Sequence, residues 1–98
     1  MSVKIKVWAD GVHVRKGVSH LSDPANSLGT INSDQYTAIK QCAGEQVDLK
    51  PEEGGYHNFW WVQVDTPVGR GWVSAVYIST GDNQKPVPDV PKAATVNT

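Results

Sequence analysis

The sequence predicts an all-β domain, a small, partly open barrel of five to seven short strands, and three observations carry that reading. Short runs of alternating apolar and polar residues recur along the chain, and clusters of Gly, Pro, Asn, Asp and Ser interrupt them. No stretch holds an apolar repeat of 3.6 residues long enough for an ordinary helix. Ninety-eight residues leave room for one compact core, so the four Trp and three Tyr, each burying more area than an aliphatic side chain, carry much of the packing. Near closure of a small barrel also removes the exposed strand edges that an open sheet would present.

In a first strand Ile5 and Val7 share one face, with Lys4, Lys6 and Trp8 on the other. After the turn Ala9-Asp10-Gly11, Val12-His13-Val14-Arg15 repeats the alternation as a second strand. Residues 17–30 are rich in Ser, Gly, Asn, Asp and Pro, with Val18, Leu21 and Leu28 as the sizeable apolar members, and read as a long ordered loop. Tyr36-Thr37-Ala38-Ile39-Lys40-Gln41-Cys42 has the aromatic and β-branched content of a strand, ended by Ala43-Gly44, and Val47-Asp48-Leu49 reads as a further short strand. Lys50-Pro51-Glu52-Glu53-Gly54-Gly55 is a turn, since Pro fixes one dihedral and paired Gly permits positive φ.

In Phe59-Trp60-Trp61-Val62-Gln63-Val64-Asp65 the period of two puts Trp60, Val62 and Val64 on one face and Trp61, Gln63 and Asp65 on the other. Trp60 is therefore expected inward and Trp61 outward. A hairpin over residues 66–71 leads to Trp72-Val73-Ser74-Ala75-Val76-Tyr77-Ile78, which closes the domain. Residues 1–80 form the barrel on this reading. Residues 81–98, with Pro86, Pro88 and Pro91 and no amphipathic period, are expected to be an extended linker or disordered tail.

Charge and composition exclude several function classes. Nine basic against ten acidic residues give a net charge of −1, so no long-range field draws the chain to nucleic acid or anionic lipid, and Lys4, Lys6, Arg15 and Lys16 read as solvated strand edges offset by Asp10. No apolar run approaches the roughly 20 residues that span a bilayer, so no membrane insertion is expected. The N-terminal residues lack the apolar stretch of a signal peptide: either export does not use that route or the signal has been removed. The single Cys42 excludes an internal disulfide and a cysteine-based zinc site; it reads as a small buried hydrophobe, or as a free thiol of a reducing compartment.

His13, His20 and His57 show no metal-ligand spacing, and pairing any of them with Cys42 and an Asp has no local signature of a nucleophilic site. Glu52-Glu53 reads as a solvated loop pair. Gly54-Gly55 and Gly69/Gly71 sit in turns, without the strand-to-helix setting of a phosphate loop. No catalytic residue, metal or cofactor is assigned, and no enzymatic activity is expected.

Four motifs in order resemble a known family. Val12-His13-Val14-Arg15-Lys16-Gly17, Leu28-Gly29-Thr30-Ile31, Trp61-Val62-Gln63-Val64 and Gly71-Trp72-Val73-Ser74-Ala75-Val76-Tyr77-Ile78 are similar to the successive signatures of bacterial SH3-like (SH3b) domains, over about residues 3 to 80. His13 stands where that family usually has Asn, the opening Pro is displaced to Asp23-Pro24, and residues 44–58 are an insertion. The resemblance implies a partly open SH3-like β-barrel. It also implies an accessory role, in which such modules of cell-wall hydrolases and other envelope proteins bind peptidoglycan peptides, and a secreted or cell-envelope location.

Binding is the chemistry that aromatic side chains favour, because they offer large rigid faces at low entropic cost. The candidates are Trp8, Tyr36, Tyr56, Trp61 and Tyr77, with Asn26, His57 and Asn58 as polar neighbours on loops. The groove is expected between the 17–30 loop and the aromatic strands. Trp60 and Trp72 read as core, whereas Trp61 is either a ligand platform or packing beneath residues 44–58. An open sheet edge can also accept a strand from a protein partner or a second copy. Two functions follow as expectations: an SH3b-type module recognising peptidoglycan peptide for an associated hydrolase, or a stand-alone interaction or inhibitory domain that binds a specific protein or itself.

Overall fold

The computed structural model describes residues 3–19 and 21–95. It is all-β, with six antiparallel strands in one sheet and no α-helix among the described residues. The strands are β1 (Val3–Val7), β2 (Val12–Arg15), β3 (Ser27–Ile31), β4 (Asp34–Asp48), β5 (His57–Thr66) and β6 (Gly69–Ser74), in the order β1-β4-β5-β6-β2-β3.

That order forces the sheet to coil. β3 and β4 stand four places apart, about 19 Å in a flat sheet, yet the two residues Asn32 and Ser33 that connect them reach only about 11 Å. The coil stays open, since no ladder joins β1 to β3 among the described residues. The segment after β6 covers the outer edge of β1, where Trp8 N–H donates to Tyr77 O (3.1 Å) and Ser79 N–H donates to Lys6 O (2.9 Å).

Coiling gathers inward side chains from every strand into one core that includes Ile5, Val7, Val12, Val14, Ile31, Ala38, Val62, Val64 and Val73. Trp60 lies on this side, as its parity requires, but is only half-buried. The opposite face of β5 is covered as well. Trp61 (2 % exposed) packs there with Cys42 and Trp72 under Val18, Leu21 and Val47, and its indole N–H donates to Glu45 O at 3.0 Å. The cover is pinned by Glu45 N–H donating to Val18 O at 2.7 Å. Gly44 makes this approach feasible, because a Cβ there would collide with the Val18 carbonyl and side chain.

Three expectations are corrected. The 17–30 loop ends at residue 26, and Ser27–Ile31 is strand β3, paired with β2. Ala43-Gly44 does not end a strand: β4 runs through it, absorbing the irregularity as register shifts between Ala38 and Lys40 and between Ala43 and Val47. Residues 44–58 are therefore mainly an extension of the β4–β5 hairpin, with Val47 opposite Asn58 and Asp48 opposite His57.

The third correction concerns residues 81–95, which are a docked strap rather than a linker. Val87 (2 % exposed) and Val90 (5 %) belong to the main core, each burial contributing about 1.5–3 kcal/mol. Gln41, fully buried on β4 beyond the end of β1, holds the strap with its side chain: Nε2 donates to Val87 O (2.7 Å) and Val90 O (2.9 Å), and Oε1 accepts from Val87 N–H (2.8 Å). Its backbone pairs with Pro91 O and Ala93 N–H, both at 2.7 Å. The expected tail's last residues, 96–98, lie outside the described residues.

Candidate functional site

The β4–β5 hairpin ends in a tightly bonded tip. Residues Pro51–Glu53 form a 3-10 turn, in which Glu53 Oε1 accepts from Lys50 N–H (3.0 Å) and Gly55 N–H donates to Lys50 O (3.0 Å). Gly54 has φ of 114°, and a Cβ on it would sit 2.9 Å from the Tyr56 ring, so only glycine lets that ring lie against the tip. The tip thereby aims Tyr56 at the end of β1.

There Tyr56 meets Trp8, with ring centroids 5.8 Å apart at 61°, an edge-to-face contact. Trp8 also contacts Tyr77 at 6.1 Å and 46°, and its indole N–H donates to Val76 O at 2.9 Å, which fixes the ring. Trp8 (38 % exposed) and Tyr56 (49 %) are the exposed large apolar side chains of the described residues, and they stand side by side. Together they wall a cleft of about 470 Å³ whose floor includes Ala75, Val76 and Ile78 and whose rim carries Glu53, His57, Asp82 and Asn83. Beside Trp8 a smaller hollow of about 300 Å³ is lined by residues that include Tyr77, Asp10 and again Glu53. Burial raises the Tyr77 phenol above its ordinary value, and the nearby Glu53 carboxylate raises it further against the lowering effect of Arg15.

Of the residues singled out in the sequence, Trp8, Tyr56, His57 and Asn58 line the cleft and Tyr77 lines the hollow beside it. Asn58, however, is 1 % exposed and spent on structure: Nδ2 donates to Asp82 O (2.8 Å) and Lys85 O (2.9 Å), and Oδ1 accepts from Trp60 N–H (2.9 Å). His57 is tied to the strap through its backbone, with Asn83 Oδ1 accepting from its N–H at 3.1 Å and its carbonyl accepting from Gln84 N–H at 3.1 Å. Tyr36 lies away from the cleft on β4, its hydroxyl donating to Asn32 O at 2.7 Å. Asn26 organises its own loop, accepting from Gly17 N–H and donating to Ser19 O, each at 3.0 Å.

Trp61 is no ligand platform in this structure, because its ring is enclosed by the second cluster. No described residue of 17–30 lines either concavity, so the cleft is not the groove expected beside that loop. The lining residues that sequence reasoning passed over include Glu53, read as solvated, and Asp82 and Asn83, read as linker.

Cys42 is fully buried between Trp61 and Trp72, and burial raises its thiol above the ordinary range. His13 has a different partner, its Nδ1 lying 2.9 Å from Ser27 Oγ, and His20 lies outside the described residues. Among the described residues no group of three His, Cys, Asp or Glu side chains could hold a metal ion. Alkylation of Cys42 by iodoacetamide is expected to run at least about 100-fold slower in the native protein than in urea, since the thiol reacts only when the cluster opens. Equal rates in the two states, followed by mass spectrometry, would contradict the packing described.

Comparison with protein-family models, with curated proteins and with solved structures finds no match in any of the three.

Proposed function

We propose that the chain is a non-catalytic binding module of the SH3b type that recognises peptide, most specifically the peptide part of bacterial peptidoglycan, and so targets an associated hydrolase to the cell wall. The observation that carries this reading is the pairing of the exposed rings of Trp8 and Tyr56 at the mouth of one cleft. Isolated exposed apolar residues need no explanation, whereas adjacent aromatic rings over a concavity are the usual anchor of a recognition site. The cleft's volume falls in the range of ligand pockets. The four motifs of the sequence supply the link to wall-binding modules.

Sedimentation with purified peptidoglycan tests the reading. The protein is expected to co-sediment, and Trp8→Ala and Tyr56→Ala, which truncate exposed rings, are each expected to weaken binding about tenfold or more. Absence of co-sedimentation, or indifference to both substitutions, would sink it.

A second reading, a stand-alone domain that pairs with a protein partner or with itself, is favoured by the outer edge of β3, which no ladder covers among the described residues. Sedimentation equilibrium separates the self-associating form from a monomer.

A further inference from the structure

We infer that the Trp8–Tyr56 cleft selects a peptide by a primary ammonium group, such as a lysine side chain, held between the aromatic rings and the Glu53 carboxylate. This rests on the reading of the cleft as a peptide site and names the chemistry that the site selects.

The distribution of charge is the first support. The chain has nine basic and ten acidic residues, close to balance. Yet the cleft and the adjoining hollow are lined by Glu53, Asp82 and Asp10 and by no Lys or Arg. Asp82 is offset by Lys85 at 3.4 Å. Glu53 has no ion-pair partner among the described residues, and its one hydrogen bond is accepted from the backbone N–H of Lys50. The wall shared by the two concavities therefore holds a carboxylate with no ion-pair partner among the described residues; at the Tyr77 phenol its field adds to the effect of burial and is opposed by Arg15.

The rings supply the second support. A cation is attracted to the face of Trp or Tyr within about 6 Å of its centroid, most strongly at Trp. Trp8 lies between Tyr56 and Tyr77 at contact distance of both, so an ammonium entering beside Glu53 meets aromatic faces as well as a carboxylate. The apolar floor of Ala75, Val76 and Ile78 suits the methylene stem that carries such a group. A guanidinium fork would have to share the Glu53 oxygen that already accepts from Lys50 N–H, whereas an ammonium needs only the other oxygen.

The probes are the blocked tripeptide acetyl-Ala-Lys-Ala-amide and the same peptide acetylated at the lysine Nε, titrated to millimolar concentration against labelled protein. Amide shifts of residues 53–58 and 75–83 are read by NMR. The lysine peptide is expected to move these resonances and to bind about tenfold more tightly than its acetylated form. Glu53→Gln, which keeps an acceptor for Lys50 N–H, is expected to erase most of that preference, while Asp65→Asn, on the Arg70 pair of the β5–β6 hairpin, leaves it intact.

Equal affinity for the two peptides overturns ammonium selection and leaves the peptide reading standing. Shifts with neither peptide also overturn the inference, and the peptidoglycan sedimentation then judges the broader reading alone.

Discussion

Gln41→Leu is expected to release the strap of residues 81–95 and to cost about 3–5 kcal/mol. The substitution removes three hydrogen bonds at once and leaves Val87 N–H, Val87 O and Val90 O without the partners that satisfy them inside the protein. These groups can regain partners only by moving to water, and that movement takes Val87 and Val90 out of the core. The backbone bonds of Gln41 to Pro91 and Ala93 remain available but anchor only the end of the strap. For a domain of this length the loss corresponds to a melting temperature lower by roughly 12–40 °C. Hydrogen exchange gives the local readout, in which protection at Val87 and Gln84 should fall before that of β5. Unchanged protection there would refute the role assigned to Gln41.

The pH dependence of Gln41→Glu sharpens the test. The new side chain replaces a donor with a carboxylate oxygen facing two carbonyls, so burial raises its pKa above the unfolded value of about 4.3. A raised group loses stability as pH rises, so this variant should be most stable below about pH 4.3 and lose stability progressively above it. The native Gln41 carries no such dependence.

Gln41 also shows why the strap was illegible in the sequence. Within β4 it reads as one more polar residue of a half-buried strand, and nothing local says that its amide has partners 46 and 49 residues away. Pro86, Pro88 and Pro91 suit an extended chain whether it trails in solvent or lies across a core. The valines that decide between the two, Val87 and Val90, are too few to make a periodic signal. The same blindness hid Asp82 and Asn83 as cleft residues, because they reach the site only through the strap's contacts with His57 and Asn58.

What was legible is what depends on the neighbouring residue. The period of two in β1, β2 and β5 follows from the backbone itself, so these strands and their core faces could be read directly. Trp8 and Tyr56 could be named as candidates because aromatic rings offer large rigid faces and recognition residues concentrate on loops, but their contact depends on the register of the hairpin, which carries Tyr56 to the end of β1. Gly44 misled for a related reason. A glycine between apolar segments marks either a break or a close approach, and here the approach is by Val18, which lies 26 residues earlier and outside any local window.

Trp61→Ala is expected to destabilise the fold by about 3–5 kcal/mol, a melting temperature lower by roughly 12–40 °C, without Trp61 touching ligand. Parity sorts Trp60 from Trp61 correctly, but only a one-sided sheet turns parity into inside and outside. Here the 16–26 connection folds Val18 and Leu21 over the second face, and Trp61 becomes one of the two indoles of a separate core with Cys42 and Trp72. Removing the indole leaves a cavity against both of them and orphans the carbonyl of Glu45, which accepts its N–H. Trp61→Phe keeps most of the apolar contact and loses the hydrogen bond, so it should cost about 1–2 kcal/mol. Trp8→Ala is the contrasting case, since that ring is 38 % exposed and its loss should fall mainly on binding. Measured together by thermal unfolding and peptidoglycan sedimentation, the two tryptophans should separate cleanly; a Trp61→Ala protein with wild-type stability and no binding would restore Trp61 to the recognition surface.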